Sequence, residues 1–191
     1  MSAAAIDAWR ERPDLIMPVL GLVSGVASAI VGFDLEIKPL TPVGRLFFLD
    51  NQLLPIGFFF GLVIAAGLWL STRNVWTLPV LLVTTMYAWS AAVQLAIRIQ
   101  NSAGSSSRLL FASLAAGAVG AGITHLGCAL FARDLRQPRP IALTTIVGAL
   151  AGILFYLGER NIIDERLLFV IWQPVVAYCI GSALMARARA A

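Results

Sequence analysis

LLFVIWQPVVAYCIGSALMA, residues 167–186, runs for twenty residues without a charged side chain, with Arg166 before it and Arg187 after it. A helix rises about 1.5 Å per residue, so such a stretch reaches about 30 Å, the thickness of bilayer hydrocarbon. Inside hydrocarbon each backbone N–H and C=O has to be satisfied within the segment or a closed barrel, and one continuous apolar run does that only as a helix. The stretch reads as a membrane-spanning helix that carries two interruptions, Gln173 and Pro174.

Five further stretches read the same way: Leu15–Phe33, Leu53–Leu70, Val75–Ile97, Leu109–Phe131 and Ile141–Leu157, none with a charged side chain. Composition agrees, because 59% of the 191 residues are hydrophobic and 13% charged, against about 45–50% and about 25% in soluble domains. The expected fold is all-α: a polytopic membrane protein with six transmembrane helices in a single domain, residues 1–191. Short connections such as NSAGSSS (101–107) and DLEIKPLTP (34–42) leave no room for a separate soluble domain.

The net charge of +4 comes from thirteen Arg and one Lys against ten acidic residues. These cations sit at the ends of apolar runs, as charges flanking membrane helices do. They form no patch with interleaved aromatics, so nucleic acid is not an expected partner. With six spans, the terminal side carries eight basic residues and the other side six. The positive-inside rule then places both termini in the cytoplasm. Arg-rich, Ala-rich usage suggests a bacterial inner membrane. Trp9, Trp69, Trp76 and Trp172 read as interfacial anchors. Cys128 and Cys179 lie in apolar runs without a CxxC spacing and read as buried thiols.

Arg45, Arg108 and Arg166 each open an even-numbered span with RLFF or RLLF, and Gln52 and Gln173 each stand seven residues after their arginine. Pro55 and Pro174 follow. This pattern suggests three parallel helical-hairpin repeats, residues 13–73, 74–137 and 138–191. The two prolines are expected to kink their helices, because each frees the carbonyl four residues earlier. GxxxG pairs at Gly21 and Gly25, Gly57 and Gly61, and Gly148 and Gly152 are expected to bring helices close together. They serve either packing within the chain or assembly with a second copy or another membrane protein.

The polar candidates gather in the spans. Thr84, Tyr87, Ser90, Gln94 and Arg98 recur at helical spacing along one face of the third span. His125 is the one histidine, and an ionisable group at membrane depth is a functional candidate by default. With Asp50, Gln52 and Gln173, these residues are the expected lining of a path for a small solute or ion. The other readings are a non-catalytic subunit or scaffold, and an intramembrane enzyme acting on a lipid-like substrate. Motifs such as HExxH and GxSxG are missing, and His125 with Cys128 is too small a ligand set for zinc. Hence no catalytic residue, metal site or cofactor is expected. Membrane lipid is an expected partner, and a second copy of the chain or another membrane protein would be a further one.

Overall fold

A computed structural model of the chain describes residues 12–33, 54–101 and 106–188. They form six long helices: α1 (Pro13–Phe33), α2 (Leu54–Thr72), α3 (Thr77–Asn101), α4 (Ser106–Ala129), α5 (Pro138–Glu159) and α6 (Leu167–Ala188), with a 3₁₀ turn at Arg133–Arg136. The described residues contain no strand, and all six helices are long and apolar enough to cross a membrane. Trp9, Arg45, Asp50, Asn51 and Gln52 lie outside the described residues.

Local chemistry sets the helix ends. Arg73 takes a left-handed backbone conformation (φ 57°), which stops α2, and its guanidinium lies 5.8 Å over the Trp69 ring. Asn74 then starts α3: its Oδ1 accepts from the Trp76 amide at 3.0 Å, and its carbonyl accepts from Thr77 Oγ1 at 2.6 Å. Such a side chain satisfies donors that the first helical turn leaves unpaired. Pro138 opens α5 at a position where its missing N–H costs nothing. Pro55 is the second residue of α2 as described, and Asn51, whose carbonyl it would free, lies outside the described residues. Pro174, in contrast, lies inside α6.

Each helix packs against its neighbours in sequence, and α1 packs against α6, so the six close into a ring. Three seams are held at backbone contact by glycine. A Cβ on Gly21 would come 2.7 Å from Pro174 Cα, and one on Gly25 would collide with the Phe169 carbonyl, both on α6. Gly57 and Gly61 of α2 face Thr85, Met86 and Leu82 of α3, and Gly148 and Gly152 of α5 face Gly117, Ala121 and Ser113 of α4. Helices in lipid gain nothing from hydrophobic burial against one another, so such close approach supplies the packing energy. All three seams run between the hairpins suggested by the sequence, not within one. Large apolar side chains instead cover the outside, among them Val19, Val83, Phe111 and Leu150, all more than half exposed.

Candidate functional site

The ring is filled at one end and hollow at the other. Toward the end where α1 begins and α6 ends, Met17, Ile64, Leu68, Leu81, Cys128, Leu135, Val176 and Ile180 form a packed core. Toward the opposite end lies a cavity of about 340 Å³, walled by α2 to α6. Its lining on α3 runs from Gln100 to Thr85, fifteen residues or about 22 Å along the axis. On α4 it reaches Thr124. Exposed Gln100, Glu159 and Glu165 stand at its open end.

Aromatic rings make much of the wall. Phe60 and Trp172 meet edge to face with centroids 5.5 Å apart, and Trp89 and Phe169 do so at 5.4 Å. Trp172 lies inside the bundle, not at the interface the sequence suggested: its Nε1 donates to the Gly148 carbonyl at 3.1 Å, and Gly120 leaves room for its ring beside α4. It stands five residues into α6, and a indole at that depth needs a partner for its N–H. Gln173 adjoins it and lines the cavity, 1% exposed. Its Oε1 accepts from Ser24 Oγ and its Nε2 donates to Ser28 Oγ at 3.0 Å, so this amide fastens α6 to α1.

The polar stripe of α3 is not among the cavity residues. At about 100° per residue it lies roughly 155° around the helix from the mean direction of Thr85, Ala88, Trp89, Ala92 and Ala96, which do line it. Tyr87 and Arg98 are exposed, Gln94 is half-buried, and Ser90 is buried away from the cavity. Thr84 donates to the Val80 carbonyl at 2.8 Å and lays its methyl on Gly127 of α4. The wall was hidden because it is built of small and aromatic residues. Its one sequence signal is that alternation, Thr85-Ala88-Trp89-Ala92-Ala96, at helical spacing.

His125 lies in the packed end, fully buried. Its Nε2 is 2.9 Å from the Leu135 carbonyl and its Nδ1 2.8 Å from Thr144 Oγ1. A carbonyl only accepts, so Nε2 carries the proton, and in the neutral ring Nδ1 accepts from the Thr144 hydroxyl. Arg136 completes this end by donating to the Ala129 and Leu130 carbonyls at 2.8 and 3.0 Å, which closes the C-terminus of α4. His125 and Arg136 thereby pin the turn that carries Leu135, the plug of the packed end.

Among the described residues, no three His, Cys, Asp or Glu side chains converge as metal ligands would. Apart from the carboxylates Glu159 and Glu165 at its mouth, the cavity offers apolar walls and a few neutral hydrogen-bonding groups, a lining typical of sites for small organic molecules. No protein-family model, curated protein or solved structure matches the chain.

Proposed function

We propose that this chain is a membrane carrier for a small, largely apolar molecule, which enters the aromatic-walled cavity from the side opposite the termini. The observation that carries this reading is the division of the ring: a cavity that is open at one end among the described residues, above a packed and hydrogen-bonded seal at the other. A carrier in one of its two access states has this form. The apolar wall favours a neutral organic solute over an ion, since an ion would shed its water against hydrocarbon and rings. We place the protein in a bacterial inner membrane with both termini cytoplasmic, on its arginine-rich terminal side, so that the cavity faces outward.

The seal also favours a second reading, a ligand-binding membrane subunit that never opens inward. One experiment separates the two. With Cys128 and Cys179 replaced by alanine, an Ala116→Cys thiol in the cavity wall reports access to a membrane-impermeant reagent. A carrier is labelled in right-side-out and in inverted vesicles, and solute shifts the ratio between them. Labelling from one side alone, with or without solute, leaves the binding subunit and ends the carrier reading.

A further inference from the structure

The cavity wall holds two polar atoms that the fold leaves without partners. Thr124, 1% exposed, lines the cavity near its inner limit, and its hydroxyl makes no hydrogen bond. Trp89 lines it from α3, and its buried Nε1–H is likewise unpaired. The neighbouring polar groups are engaged: Thr85 and Ser113 donate to carbonyls of their own helices, Trp172 donates to Gly148, and Gln173 bonds Ser24 and Ser28. Buried polar groups nearly always have a partner, and each exception calls for an explanation. An indole N–H can only donate, and the Thr124 hydroxyl, which makes no bond to a carbonyl of its own helix, has its proton to give. Both are therefore matched by an acceptor that arrives from outside the chain.

Size narrows the class further. A cavity of about 150 Å³ lined by hydrocarbon holds one benzene ring. At that ratio 340 Å³ holds roughly 14 non-hydrogen atoms, or two rings. Resting on the reading of this cavity as a binding site, we infer that its ligand is a neutral ring compound of about that size whose carbonyl oxygen accepts from Trp89 Nε1–H and Thr124 Oγ1–H. The edge-to-face pairs Phe60–Trp172 and Trp89–Phe169 supply ring faces and edges for the hydrocarbon part. A charged ligand would find no opposite charge along the deep wall.

Benzophenone and diphenylmethane test this directly, because they share size and shape and differ at the central carbonyl. Benzophenone also photolabels what it touches. The full chain in nanodiscs is irradiated with benzophenone, and labelled peptides of α3 and α4 are measured against protein-free nanodiscs. Diphenylmethane then competes for the same labelling. The expected result is saturable labelling of those peptides, with diphenylmethane binding about tenfold more weakly than benzophenone, as the loss of hydrogen bonds to buried donors implies. With Thr124→Val and Trp89→Phe together the preference for benzophenone over diphenylmethane falls to about twofold or less, while diphenylmethane still competes for the labelling and so reports that the cavity remains. Equal binding of both probes by the unmodified chain overturns the carbonyl assignment and leaves the binding cavity standing. Binding of neither probe overturns the cavity reading itself. A preference for benzophenone that survives both substitutions also overturns the assignment to these two donors.

Discussion

Gln173 Nε2 donates to Ser28 Oγ at 3.0 Å across 145 residues of chain, and Ser24 one turn earlier donates to the same amide. Here the last helix closes on the first. The amide sits between two serines of one helix face, beside the glycine seam of Gly21 and Gly25.

Gln173→Leu is accordingly expected to loosen the ring without dissolving it. Hydrogen bonds between membrane helices contribute on average about 0.6 kcal/mol each, and both serines can turn to carbonyls of their own helix. The expected loss is about 1 kcal/mol in unfolding within bicelles. A change below about 0.3 kcal/mol would mean that glycine packing alone closes the ring.

Glycines of different seams should differ in tolerance. A methyl on Gly117 would strike the Gly148 carbonyl, which is backbone and cannot turn aside, whereas one on Gly32 meets the tip of Ile56 at 3.2 Å. Gly117→Ala is expected to cost about 1–3 kcal/mol by overpacking. Gly32→Ala should stay within about 0.5 kcal/mol of the unmodified chain, because helix propensity favours alanine and Ile56 can shift. Equal stabilities of the two variants would contradict the α4–α5 contact.

His125→Leu should open the packed end locally. The substitution leaves the Leu135 carbonyl buried and unpaired, at about 1–3 kcal/mol, while the Thr144 hydroxyl can turn its proton to the Pro140 carbonyl, 2.9 Å away. Hydrogen exchange is expected to quicken over residues 130–137 and to stay unchanged in α1. Uniform quickening through the bundle would show that His125 supports the whole fold, not the turn.

Arg136→Gln removes two bonds to the last carbonyls of α4 and a cation from the negative end of its dipole. A loss of about 0.5–1.5 kcal/mol is expected, again with faster exchange confined to the 130–137 turn. Arg133→Gln, whose side chain is exposed, should change stability by less than about 0.5 kcal/mol. Equal losses in the two would reduce the effect of Arg136 to net charge.

The spans were legible because length and hydropathy are properties of contiguous residues. Expected and observed ends differ by up to four residues, and capping accounts for the starts of α3 at Asn74 and α5 at Pro138 and for the stop of α2 at left-handed Arg73. The site was less legible. A polar stripe on α3 drew attention by contrast with its apolar surroundings, yet the cavity wall is the opposite face, where alanines yield space and rings frame it. Gln173 was visible in the sequence as a polar residue at depth, but its serine partners stand 145 and 149 positions away. Trp172 looked like an anchor because span ends often carry tryptophan, whereas its N–H has its acceptor in α5.

By itself the sequence determined six helices long and apolar enough to cross a membrane, since hydrocarbon demands long uncharged runs that satisfy their own backbones. It also marked the glycines at which backbones can touch. Only the tertiary structure decided which helix each glycine meets, that the ring closes through Gln173, that one end is packed around Leu135, and that Thr124 and Trp89 are left unpaired beside a cavity. The physical reason is that helix formation in lipid is local, while the volumes and hydrogen bonds that make or fill a cavity are sums over side chains brought from all six helices.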